Sequence, residues 1–118
     1  MVEVALTSQR VEPEKVSTLR EWIDDRRDRE AEVAESLRER NVYTETAFLR
    51  ETDDGTFLVY YVEAQDIEAA QAAFPNPDRE IDRRHWEVLS DVLDDAGARE
   101  AADPLHHATS PERPARPE

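Results

Sequence analysis

A histidine at position 85 stands four residues after Ile81 and three and four before Val88 and Leu89, on the apolar stripe of a predicted helix. An imidazole aimed inward either satisfies both nitrogens within the core or dimer seam, or meets a pocket, where a pKa of about 6.5 suits acid/base work. His106 and His107 are adjacent, so on a strand they face opposite ways and at most one joins a common site. Neither stands at a recognisable metal-ligand spacing from His85, and there is no cysteine, so no metal and no cofactor are expected. Gly55 and Gly97 are the only glycines, which excludes a glycine-rich phosphate loop.

Three carboxylates, Glu3, Glu45 and Glu63, fall in β-rich runs. If registers permit, they project from the sheet face opposite the helices, where crowding raises a carboxyl pKa and creates acid/base pairs. Glu63 leads because it shares a strand face with Phe57, Val59 and Tyr61; the rival reading is a solvated strand-end acid. Glu63 and His85 are therefore the candidate catalytic residues, with Tyr61 and Trp86 as candidate ligand contacts. Tyr43 and Tyr60 are strand formers first, and Trp22 and Trp86 read as core or interface anchors before ligand platforms. Arg26 or Arg27 and Glu30 fall where the stripe of the first helix would continue. They line a cavity between helix and sheet, or the helix there is wet all round, as the i,i+4 pairs Asp25–Arg29 and Arg26–Glu30 suggest.

The elements that must position these groups are read from periodicity. Val2–Thr7 alternates as a half-buried strand, and Pro13 opens a helix whose stripe of Val16, Leu19 and Ile23 breaks at DDRRDRE, 24–30, and resumes at Ala34 and Leu37. Runs 42–50 and 56–64 flank Asp54-Gly55, a strong hairpin signal. Asp66 caps a short helix, Ile67–Phe74, which Pro75-Asn76-Pro77 stops; Asp78 caps another that ends near Gly97. Beyond Pro104, LHHATS supplies a short edge strand. The order β-α-β-β-α-β predicts a ferredoxin-like α+β domain over residues 1–108, with both helices on one face of a four-stranded antiparallel sheet. Residues 109–118 form a disordered, Pro-rich tail. Phe57, Val59 and Tyr61 alternate with Leu58, Tyr60 and Val62, so both faces of that strand are apolar. The face without helices must then be covered, and a homodimer through the open sheet face is expected.

The chain carries 29 acidic residues against 15 basic ones, of which only Lys15 is a lysine, for a net charge of -14. The acids are spread evenly. Such a coat self-repels at low ionic strength, whereas molar salt cuts its range to about 3 Å, which reads as adaptation to a salt-rich cytoplasm. Without a basic cluster, nucleic acid and anionic membranes are not expected partners. The N-terminus lacks the charged and apolar regions of a signal peptide, and no apolar run approaches spanning length, so a cytoplasmic location is expected.

The blocks GTFLVYYVEAQDIEAAQAAF and REIDRRHWEVLSDVL, with the order of elements around them, resemble the dimeric α/β-barrel superfamily. More narrowly, the chain resembles a family of small uncharacterised haloarchaeal and bacterial proteins. The resemblance implies the ferredoxin-like fold and selects no chemistry, since the superfamily includes mutarotases, cofactor-independent monooxygenases, haem-degrading and stress-response proteins. Against rhamnose mutarotases, Glu63 and Trp86 match, but the first helix has no histidine and a tandem Trp-Trp is replaced by His85-Trp86, so their catalytic residues are not carried over. The expected function is a dimeric module that encloses a pocket for a small-molecule ligand. The alternative is a cofactor-independent, mutarotase- or monooxygenase-like enzyme on a small organic substrate.

Overall fold

A computed structural model describes residues 2–94 and 99–114 of the chain. The alternation begun at Val4 persists beyond Thr7, so the first strand, β1, spans Glu3–Val11. Pro13 opens a single 3-10 turn, Pro13–Lys15, that leads into α1 (Val16–Arg27). The polar run breaks the helix: α1 stops at Arg27, Asp28 and Arg29 form the junction, and α2 (Glu30–Glu39) resumes. Asn41, at φ 55°, ends this segment in the left-handed conformation that asparagine tolerates. β2 (Val42–Thr52) and β3 (Gly55–Ala64) form the expected hairpin, with Gly55 at φ 139° supplying the turn.

Asp66 caps α3 (Ile67–Ala72) as expected, accepting from the Ala69 N–H at 3.0 Å. The cap predicted for the next helix is corrected. α4 (Glu80–Val92) has Arg79 at its N-cap, and the Asp78 N–H instead donates to Asn76 Oδ1 at 2.9 Å. α4 also ends at Val92, well before Gly97, which lies outside the described residues. Tertiary pairing ends it: Leu93 is extended and bridges Val11, while the Asp94 N–H donates to Arg10 O at 2.9 Å. The last strand, β4, is Glu100–Ala102, not the LHHATS segment, because the chain meets Leu6–Ser8 of β1 at that earlier point.

The sheet order is β2-β3-β1-β4 and every pairing is antiparallel, which makes the fold the ferredoxin-like β-α-β-β-α-β arrangement. Leu58 points at the helices and joins Val11, Leu19, Trp22, Ile81, Val88 and Val92 in the main core. A smaller cluster of Val42, Ala64 and Ala70 lies under α3. Phe57, Val59, Tyr61 and Glu63 point the other way, with Val4, Leu6, Thr46 and Phe48 beside them on the open face. No helix among the described residues is long and apolar enough to cross a membrane.

Candidate functional site

Polar side chains gather on both faces of the sheet. On the helix side the centre is His85, which α4 aims at the sheet and which is only 5% exposed. Trp22 of α1 donates its indole N–H to His85 Nδ1 at 2.7 Å. An indole nitrogen can only donate, so Nδ1 accepts and the neutral ring carries its proton on Nε2. Nε2 then donates to the Tyr60 hydroxyl at 2.9 Å. Arg26 Nη1, 3.3 Å from the same Nε2, faces it donor to donor and acts through its charge. Burial, then the charges of Arg26 and Arg40, hold the His85 pKa well below its ordinary value. Tyr60 is pushed up, first by burial and then by Glu45. His85 is thus a neutral hub with both nitrogens occupied inside the chain.

Arg26 resolves the two readings of the helix break. Its guanidinium turns beneath the sheet to Glu45 Oε1 at 3.4 Å, with the side chain 12% exposed, whereas Arg27 is 76% exposed. Arg40, beside Asn41, enters the same layer at 9% exposure and lies 3.9 Å from Glu45 Oε2.

The expected grouping of three carboxylates on the open face is corrected. The hairpin register runs unbroken from Thr52 opposite Gly55 to Thr44 opposite Glu63, so Glu45 pairs with Val62 and faces the helix side; the bulge at Tyr43 lies beyond it. Glu3 pairs with Ala64, also on the helix side, and accepts from the Ile67 N–H at 2.9 Å. Glu63 alone of the three stays on the open face, at 4% exposure. His107 Nε2 lies 2.9 Å from its Oε2, and Arg113 Nη2 lies 3.4 Å from its Oε1. Tyr61 Oη is 3.4 Å from His107 Nδ1. The Thr44 hydroxyl bond holds the Glu63 carboxyl below the usual range, with Arg113 and His107 adding to it against the effect of burial. Burial and Glu63 push the Tyr61 hydroxyl up.

The structure therefore brings Tyr61 and Glu63 together and separates both from His85, which lies across the sheet. Trp86 joins neither group: it is 54% exposed and meets only the edge of Phe74, at 6.3 Å between centroids, among its aromatic neighbours. Trp22 is the core anchor, at 5% exposure. Sequence reasoning missed Thr44, Arg40 and Arg113, and had no means of choosing His107 over His106. The signal available for Thr44 was only its place on the strand that pairs with Glu63. Among the described residues, no group of three or more His, Asp or Glu is placed to hold a metal ion.

A model of a family of unknown function, DUF6176, matches residues 2–113. The chain belongs to the DUF6176 family. No curated protein sequence matches this DUF6176 chain. Among solved structures it is similar to Rv0793 of Mycobacterium tuberculosis, at 18% identity and TM-score 0.57 over 92% of this chain and all of that one. It is also similar to a putative antibiotic biosynthesis monooxygenase of Bacteriodes thetaiotaomicron, at 16% identity and TM-score 0.60 over 92% of this chain and 94% of the other. A third structure, of an antibiotic biosynthesis monooxygenase, matches at 16% identity and TM-score 0.56 over 90% of this chain and all of the other. At these identities the likeness establishes the ferredoxin-like fold and no activity.

The neutral His85 has a pH signature. Unfolding releases it to an ordinary pKa of about 6.5, so below that value the unfolded chain binds a proton the folded chain refuses. Its contribution is complete above about pH 6.5 and falls toward the depressed folded value, by at most about 1.4 kcal/mol per pH unit. Urea unfolding at pH 5 and 7.5 is expected to show this loss in the wild type and a smaller one in His85→Gln. An equal acid loss in both proteins rules out the buried neutral ring as its cause.

Proposed function

We propose that the chain is a homodimer joined through the open faces of its sheets, and that the dimer encloses a binding site for a small organic molecule at Tyr61, Glu63 and His107. The observation that carries this reading is a single buried carboxylate set among unused apolar surface. Glu63 is 4% exposed, while Phe48 and Leu6 on the same face are 52% and 41% exposed. A carboxylate with fixed donors around it orients a hydroxyl- or amine-bearing ligand, and the apolar surround accommodates the rest. The described residues from 99 to 114 are all exposed in the single chain, and a second sheet packed over this face would cover part of them. The even acid coat supports a halophilic, cytoplasmic protein.

A second reading is a cofactor-independent enzyme on a small organic substrate. The 2.9 Å contact between Glu63 and His107 favours it, since a carboxylate that orients an imidazole is a general-base arrangement. The likeness to structures described as antibiotic biosynthesis monooxygenases supports the same class.

A ligand-observed NMR screen of small polyols, phenols and amines against wild type and Glu63→Gln tests the site. Ligands that lose about tenfold or more in affinity on Glu63→Gln, with the oligomer intact, are expected. A screen in which no ligand depends on Glu63 sinks the reading. Turnover of a bound compound that vanishes in His107→Gln while binding survives selects the enzyme.

A further inference from the structure

The helix side holds a different polar group, built around two largely covered guanidiniums, with side chains 12% and 9% exposed. Arg26 and Arg40 share Glu45 as their carboxylate, at 3.4 and 3.9 Å, the second beyond hydrogen-bond range. Asp82, another buried acid of the helix layer, is taken by the Ser36 hydroxyl at 2.5 Å and the Asn76 N–H at 3.0 Å. Arg40 Nε reaches Ser36 O at 3.3 Å, and its guanidinium rests over the Phe74 ring at 5.1 Å. Among the described residues, Arg26 Nε is a buried nitrogen with no hydrogen-bond partner. The tautomer of His85 removes Nε2 as an acceptor for Arg26, so Arg26 is served by the Tyr60 hydroxyl and by Glu45 at 3.4 Å, and Arg40 by Ser36 O at 3.3 Å and by Glu45 at 3.9 Å, against five donors on each fork-shaped cation. Buried donors left this way carry a desolvation cost that a well-placed anion relieves.

Arg40, but not Arg26, lines a cavity of about 70 Å³. Arg40 and Glu45 are its charged lining and Thr7 and Gln71 its neutral polar lining; Ala5, Val62 and Ala70 are among its apolar walls. At roughly 10–15 Å³ of such space per water-sized group, it has room for about five heavy atoms. A charged end and a short apolar body match one ligand chemistry. We propose that this cavity is a second binding site, separate from the open face, for the carboxylate of a short-chain organic acid. The acid sets its carboxylate against Arg40 in the bidentate geometry a guanidinium favours, leaving Glu45 to Arg26, so two cations face two anions. Its alkyl stem lies against Val62 and Ala70.

Propionate has the required size, and propionamide has the same shape without charge. The indole N–H of Trp22 and the Nε–H signals of Arg26 and Arg40 can be followed in ¹H–¹⁵N correlation spectra of the full chain as each is titrated at constant ionic strength. Propionate is expected to shift them saturably, and propionamide and added chloride are not. Two variants locate the effect. Arg40→Gln removes the anion partner, whereas Ala5→Val fills the cavity and keeps both arginines; each is expected to weaken propionate about tenfold or more. If Arg40→Gln fails to fold, Ala5→Val carries the test. No saturable shift, equal shifts with propionamide or chloride, or undiminished propionate binding in Ala5→Val overturns the proposal.

Discussion

Phe48→Glu is expected to sediment as a 13.6 kDa monomer under conditions in which the wild type sediments at twice that mass. Phe48 lies opposite Val59, near the middle of the hairpin, and is 52% exposed in the single chain, so the substitution removes little from the chain's own core. Between two packed sheets the change is severe. Burying a phenylalanine contributes roughly 1.5–3 kcal/mol, and the seam of the proposed dimer would hold two copies of it by symmetry. An unpaired carboxylate forced into the same place costs several kcal/mol more. Molar salt is the right medium, because it screens the repulsion between two acidic chains and leaves desolvation as the obstacle. A wild type that is monomeric there, or a Phe48→Glu variant that remains dimeric, refutes the open-face dimer.

Trp22→Ala is expected to cost about 3–5 kcal/mol of folding stability, read from urea unfolding at pH 7.5. The indole is 5% exposed, lies in the main core and supplies the hydrogen bond that fixes the His85 tautomer. Alanine leaves a cavity and also a buried Nδ1 without its donor. Trp22→Phe separates the two effects, since it keeps most of the packing and loses only the bond, for roughly 1–3 kcal/mol. Against a domain stability of about 5–15 kcal/mol, the alanine variant approaches unfolding. A loss below about 1 kcal/mol for Trp22→Ala contradicts the central role given to this pair.

What the sequence by itself determined is what neighbouring residues settle among themselves. The Asp54-Gly55 turn follows from the positive φ it requires, and the Asp66 cap from a side chain within reach of the Ala69 N–H. The inward direction of His85 follows from helical spacing to Ile81 and Val88, both buried. The β-α-β-β-α-β order, and with it the fold, follows from these local signals in sequence.

The tertiary structure decided the rest, because the deciding contacts join distant residues. The pairing of β2 with β3 sets Glu45 opposite Val62, on the helix side with the arginines, and gives Thr44 the place opposite Glu63. The Leu93 bridge to Val11 ends α4 where helical propensity would let it continue, and β4 forms in Glu100–Ala102 because that is where the chain reaches β1. His85 looked like the natural partner of Glu63, yet a sheet separates them, and His107 from the far end of the chain stands at the carboxylate. The sequence determined which side chains have the chemistry; the pairing of strands determined which of them meet, since a one-residue change of register exchanges the two faces of a sheet.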